Sequence, residues 1–285
     1  GFHLGPGGNH DNVLTYLQTL DSKGIPFVIK DVDEYSVIQQ AAAMRAKSGV
    51  DHSIVWRSTN TDVPPYDMNA TAAGVQHWNK VMGLLPDGFD REHVWLEVIN
   101  EPDQTKAEWL AEFSISVANQ ALPAGFKVAL LGWSTGTPYV NAGGGPMAWS
   151  QPHMMELLKM VTANPDRLAI ALHEYANTLN IVNEYPYLLG RFHFLYNVTR
   201  EAGLPDPTVL ITEWGWTACN VKLPPTSGIA DIDLVQRGDV AFPYADYPVK
   251  GLFGWYLGPW SCDISDAMDQ LVLPVLNYTI STYTP

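Results

Sequence analysis

The sequence predicts an α/β protein, a single (β/α)₈ barrel occupying residues 1–285. Three observations predict it. The length of 285 residues fits one such barrel, which takes ~250 residues. Eight short apolar runs alternate with amphipathic stretches, the pattern of a parallel sheet covered by helices. Each run closes on polar, glycine or aromatic residues, as strands buried on both faces do when they reach a loop. No composition break or internal repeat divides the chain.

The elements follow in order. A strand is expected at residues 1–5. The next helix carries Val13, Leu14, Leu17 and Leu20 as an apolar stripe and is stopped by Gly24 in the manner of a C′ glycine. The second strand is 26–31 (PFVIKD), followed by an alanine-rich helix over 36–47 that Gly49 ends. The third strand is 52–57 (HSIVWR), with a helix over about 70–84. The fourth is 93–101 (HVWLEVINE), with a helix over 106–121 that stops before Pro123. The fifth is 127–133 (KVALLGW). After it Gly143-Gly144-Gly145-Pro146 reads as a loop, since it lacks the Gly-Lys-Ser/Thr ending of a phosphate-binding loop, and a helix covers about 153–162. The sixth strand is 168–175 (LAIALHEY), with a long aromatic helix over about 186–202 ended by Gly203. The seventh is 208–214 (TVLITEW), with a weakly marked helix inside 231–241. The eighth is 251–257 (GLFGWYL), with a faint helix near 266–276.

Charge narrows the partners. The chain carries 30 acidic and 16 basic residues, a net charge of -14. Such a surface repels phosphate backbones, anionic membranes and polyanionic substrates, so neither nucleic acid nor membrane is expected as a partner. A neutral substrate fits, and the acidity itself aids solubility. Aromatic residues reach 11%, with 10 Trp and 13 Tyr, a mild hint of sugar stacking beside the packing that must occupy many of them. No apolar stretch approaches the ~18 residues of a membrane span. Sequons begin at Asn69, Asn197 and Asn277, and a secreted or extracellular protein is expected. Cys219 and Cys262 follow strands seven and eight. The two loops share a face, so the thiols either bridge and brace the rim beside Glu213 or stay free.

In this architecture chemistry belongs at the C-terminal ends of the strands. The fourth strand ends Asn100-Glu101-Pro102 and the seventh Thr212-Glu213-Trp214, placing two carboxylates across one barrel mouth. Glycosidic bond cleavage needs such a pair, ~5–5.5 Å apart when configuration is retained. The acid needs surroundings that disfavour charge, whereas the nucleophile needs donors that stabilise it. Tyr175 and Arg57, also at strand ends, are candidate donors.

At these residues the chain resembles the clan A retaining glycoside hydrolases, which include family 5. Asn100-Glu101-Pro102 is similar to the clan's acid/base motif at strand four, and Glu213 to its nucleophile at strand seven. The stretch 97–102 looks like family 5, and Ile211-Thr212-Glu213-Trp214 resembles families 5 and 39. The resemblance implies that His173 contacts sugar hydroxyls and Tyr175 hydrogen-bonds the nucleophile. It also implies that Asn100 binds the 2-hydroxyl and Trp255 forms a sugar platform. The order of these motifs along the barrel carries the resemblance more than any single one. There are departures. The clan commonly has Arg at the end of strand two, where this chain has Lys30-Asp31, and family 5 often has His after strand three, where it has Trp56-Arg57-Ser58. They point to a divergent family within the clan.

Trp133 and Trp214 are further candidates for stacking on sugar, with packing under a loop the plainer role for any one of them, Trp216 and Trp260 included. Glu97 shares the strand face of Glu101 and must find a cationic partner inside the barrel. Glu174 alternates away from His173 and Tyr175. Asp31, Asp33, Glu34, His10 and Asp11 form an acidic, His-containing rim, for which a solvated surface or contacts to substrate hydroxyls are expected ahead of a metal site. No His-x-His or Cys-x-x-Cys spacing supports a metal, and no cofactor is expected. The expected function is double-displacement hydrolysis of β-glycosidic bonds by a monomer, endo-acting on a neutral β-glucan, mannan or xylan. Exo-action or transglycosylation on short oligosaccharides, a degenerate carbohydrate-binding barrel and a metal-dependent hydrolase are the alternatives.

Overall fold

The computed structural model describes residues 1–7, 10–138, 148–176, 184–216, 248–257 and 264–283. Eight parallel strands close into a barrel in sequence order. They are β1 (Phe2–Leu4), β2 (Val28–Val32), β3 (Ser53–Arg57), β4 (Val94–Glu97), β5 (Lys127–Trp133), β6 (Leu168–Ala176), β7 (Val209–Trp216) and β8 (Val249–Leu257). Among the described residues the helices are α1 (Asp11–Ser22), α2 (Ser36–Ser48), α3 (Ala70–Met82), α4 (Ala107–Ala121), α5 (Pro152–Ala163), α6 (Phe192–Glu201) and α7 (Ile264–Tyr283). The helix expected at 231–241, the run Gly143 to Pro146, Cys219, Cys262 and Trp260 lie outside the described residues. Among the described residues no helix is long and apolar enough to cross a membrane.

Alternation along the strands makes two cores. Val55, Trp95, Ala129, Ala169, Ala171, Leu210 and Phe253 form a cluster of their own inside the barrel, where the alanines make room for Trp95 and Phe253. The opposite strand faces pack under the helices in a second, larger core. Helix ends follow local chemistry. Asn69 caps α3 by accepting from the Ala72 amide at 3.3 Å. Gly49 closes α2 with φ 74°, its N–H on the Arg45 carbonyl at 2.9 Å.

Two irregularities shape the C-terminal mouth. Regular pairing in β4 stops at Glu97, short of the expected residue 101. The chain then follows β5 loosely, with Val98 N–H on Ala129 O at 3.3 Å and Glu101 N–H on Gly132 O at 2.9 Å. Glu101 has φ 41°, Leu131 φ 77° and Gly132 φ 49°. A Cβ at Gly132 would lie 2.6 Å from the Ile99 carbonyl oxygen, so only glycine admits this close passage. The second irregularity is in β7. Leu172 pairs with Ile211 but His173 pairs with Glu213, so one residue is skipped. A bulge of this kind re-aims the side chain that follows it, and here Thr212 and Glu213 both reach the barrel interior.

Candidate active site

The mouth is built from side chains of several strands around a buried ion cluster. Lys30, from β2, is fully buried, with Nζ 2.5 Å from Glu97 Oε2 and 3.1 Å from Glu213 Oε1. Glu97, also fully buried, accepts from Thr212 Oγ1 at 2.6 Å and lies 3.4 Å from His173 Nε2 and 3.9 Å from Arg57 Nη1. An unpaired carboxylate there would cost several kcal/mol, roughly, and the cationic partners remove that cost.

Above this floor stands Glu213. Tyr175 Oη donates to its Oε2 at 2.6 Å. His173 Nδ1 lies 3.5 Å, Arg57 Nη1 3.7 Å and His3 Nδ1 3.9 Å from its carboxylate. Burial alone would push this carboxyl up. The surrounding positive charge, led by His173 and Lys30, outweighs burial and holds it far below the ordinary carboxylate range. Glu101 faces it across the mouth with its side chain 41% exposed and Oε1 3.1 Å from His173 Nδ1. Oxygens of Glu101 and Glu213 and a nitrogen of His173 all lie within 4.8 Å of one another.

His173 binds the two carboxylates together. Burial would lower its pKa, but the charge of Glu213 and the hydrogen bonds to Glu101 and Glu97 raise it to about 9. The imidazolium in turn lowers the Glu101 carboxyl. Its hydrogen bond is the largest influence there, outweighing burial and the charge of Glu213, which both raise it. This reverses the expectation that the surroundings of Glu101 disfavour charge. The cause is a cation that the sequence placed nearby but whose protonation it did not reveal. Titration of His173 should therefore be displaced. Its ring ¹⁵N shifts, followed by NMR, are expected to move near pH 9, and a midpoint below the usual ~6.5 would contradict this arrangement. Because the folded pKa is raised, the stability from His173 is full below pH ~6.5 and is lost as pH rises through about 9. Glu213 and Glu97 act oppositely, with pKa values depressed on folding. Their contribution is full above the ordinary carboxylate range and is lost on acidification.

Of the residues singled out in the sequence, Arg57, Asn100, Glu101, His173, Tyr175 and Glu213 converge. Arg57 Nη1 donates to Asn100 Oδ1, and its Nε lies 3.3 Å from Asp62 Oδ1. Trp133 and Trp214 do not join them. Trp133 is 0% exposed and packs edge-on against Trp149 at 6.4 Å, while Trp214 is 4% exposed in the barrel–helix core. Register shifts in β5 and β7 turn both outward under the helices, so neither is a sugar platform. The backbone of Trp255 pairs with His3 in β8; its side chain, like that of Trp216, lies outside the described residues. Glu174 is fully buried and accepts the amides of Gly190 at 2.7 Å and Arg191 at 2.9 Å, clamping the approach to α6.

Lys30, His3, Asp62 and Thr212 were not singled out as site residues. For Lys30 a signal existed, since a cation in the buried run PFVIKD must meet an anion. In the acidic rim Asp33 is exposed as expected, and among the described residues Asp31 alone departs. Asp33 ties β2 to the turn after β3 through Ser58 Oγ at 2.9 Å and Thr59 Oγ1 at 2.6 Å. Asp31 is 0% exposed, and both its oxygens lack hydrogen-bond partners among the described residues. Burial, with Glu34 and Asp33 nearby, pushes it to about 8, so it is neutral at pH 7 rather than solvated.

Glu101, His173 and Glu213 each offer one atom with the spacing of a metal site. The chemistry of the pocket opposes a divalent ion, because Lys30 and Arg57 already bring two positive charges to the Glu213 carboxylate.

No family model matches the sequence, and a search of curated proteins finds no relative. Solved structures do resemble the fold. XacCel5A in complex with cellopentaose matches with a TM-score of 0.50 and 11% identity over 91% of this chain and 90% of that one. An endo-β-1,4-glucanase from Xanthomonas axonopodis pv. citri matches with a TM-score of 0.48 and 12% identity over 88% and 81%. A β-mannanase from Thermomonospora fusca matches with a TM-score of 0.45 and 15% identity over 94% and 81%. At such identities the likeness is one of fold.

Proposed function

We propose that this chain is a retaining β-glycoside hydrolase of the clan A type, with Glu213 as nucleophile and Glu101 as acid/base. One observation carries the reading. Glu213 on β7 and Glu101 just beyond β4 bring carboxylate oxygens within 4.8 Å at the C-terminal mouth, in keeping with the spacing a covalent glycosyl intermediate requires. Their surroundings support a division of labour. Glu213 is buried and kept ionised, ready to attack the anomeric carbon, and Tyr175 and Lys30 hold its oxygens. Glu101 is the more exposed of the two, where an incoming leaving group can reach it.

The charge coupling supports a cycle. Ionised Glu213 raises the pKa of Glu101, and a seated sugar would raise it further by covering its exposed side chain, favouring the acid form for the first step. Glu101, its side chain 41% exposed, takes up that proton from solvent, while His173 stays protonated. Once Glu213 becomes an ester its charge is gone, the pKa of Glu101 falls, and Glu101 becomes the base that activates water.

The substrate we assign is a neutral polysaccharide, a β-glucan, mannan or xylan, cleaved internally. The cellopentaose bound to XacCel5A, the net charge of -14 and the aromatic content support this assignment. We place the protein outside the cell, a reading supported by the exposure of Asn69, Asn197 and Asn277, the three sequon asparagines. A polysaccharide panel with ¹H NMR of the first-formed anomer tests the reaction. Release of the inverted anomer would remove Glu213 from the nucleophile role. Glu101→Ala is expected to slow unactivated β-glycosides by ~10²–10⁴-fold while sparing aryl glycosides whose leaving group needs no proton. Equal loss on both substrates would remove Glu101 from the acid role.

A further inference from the structure

We propose that the opposite, N-terminal mouth of the barrel binds a small oxyanion, such as inorganic phosphate, on Lys127, Arg45 and Lys250. These residues line a cleft with Asp51, Asp166 and Trp95, where the starts of β3, β4, β5 and β8 converge. The cleft is small, polar and open to solvent.

The decisive residue is Lys127. It is the first residue of β5 and faces the barrel axis beside Trp95, its register partner on β4. It is 7% exposed, and its ammonium makes no hydrogen bond or ion pair among the described residues. The face of the Trp95 ring lies 4.6 Å from Nζ, and the charges of Asp51 and Asp166 act on it from across the cleft. The Lys127 stem is buried and its ammonium opens onto the cleft without a hydrogen-bonded counterion, so a bound anion would stabilise it.

The other charges in the cleft leave room for that anion. Asp51, itself half exposed, is shared between Arg45 at 2.5 Å and Lys250 at 2.9 Å. One carboxylate therefore serves two cations, and neither of its oxygens is given to Lys127. Arg167 adds further positive charge. The balance is positive on a chain whose net charge is -14, which makes this end of the barrel a local exception. Burial, then Arg45 and Arg167, lowers the pKa of Lys127 to about 8, the direction expected of an ammonium awaiting an anion. Arg45 already donates to the His52 carbonyl and to Asp51 and contributes its charge, while two point-charge lysines face the cleft, a set that suits an oxyanion better than a neutral sugar.

The test uses the full chain. Its melting temperature is followed against sodium phosphate at pH 7, with sodium chloride at matched ionic strength as the reference. A saturable rise specific to phosphate is expected, together with selective ³¹P line broadening. Lys127→Met and Lys250→Gln are each expected to weaken the apparent affinity at least tenfold. The same rise in chloride, no broadening, or an affinity unchanged in Lys250→Gln would overturn the proposal. Because the cleft lies at the other end of the barrel from Glu101 and Glu213, the result is independent of the hydrolytic assignment.

Discussion

Glu213→Ala is expected to lower kcat by at least about 10³-fold on every β-glycoside the protein cleaves, since it removes a group that acts together with its partners in the mouth. The fold should survive, because Lys30, which loses one carboxylate, keeps Glu97 at 2.5 Å. The informative measurement adds azide. A small anion entering the space vacated by the carboxylate can attack the anomeric carbon in its place. Activity on an activated aryl glycoside should then return, and the product should be the glycosyl azide of inverted configuration. Turnover unaffected by the substitution, or an azide product of retained configuration, would end the nucleophile assignment.

Lys30→Met is expected to cost about 3–5 kcal/mol of folding stability, the range for removing one partner of a buried ion pair. Lys30 is the shortest contact of Glu97; the Thr212 hydroxyl at 2.6 Å is uncharged, and the cations that remain are more distant, Arg57 at 3.9 Å and His173 at 3.4 Å. Urea unfolding measures the loss. The double variant with Glu97→Leu removes both charges and should recover much of it, because a buried pair is worth little beyond the cost of breaking it. A single-variant loss below about 1 kcal/mol, or a double variant that recovers nothing, would show that the two groups are not coupled in this way. Activity should fall too, since Lys30 Nζ also sits 3.1 Å from Glu213.

Much of this arrangement is legible in the sequence. Strand five has the bounds its sequence predicts, because KVALLGW is an apolar run flanked by a glycine turn and a loop. The pairing of Tyr175 with Glu213 and the proximity of Arg57 follow from strand ends meeting at one mouth. What could not be read is where the period of two fails. Strict alternation puts Thr212 and Glu213 on opposite faces, and only the skipped residue in β7 brings both inside. Similar shifts in β5 and β7 carried Trp133 and Trp214 out of the mouth. Alternation also placed Glu97 and Glu101 on one face correctly for the first and by coincidence for the second, which reaches the mouth from beyond the strand. Asp31 was misread because an acidic cluster in sequence resembles a wet surface, whereas its position in β2 buries it completely.

The backbone of Glu101 carries one more implication. At φ 41° it occupies a conformation costing an L-residue roughly 1–2 kcal/mol and glycine little or nothing. Glu101→Gly should accordingly melt higher than Glu101→Ala in calorimetry, although both lack a carboxyl. A laboratory lineage propagated for heat resistance alone would drift toward glycine here and fall silent. Under the proposed chemistry, the glutamate persists only while turnover is being selected, which makes residue 101 a sensor of whether a descendant is still under pressure to work.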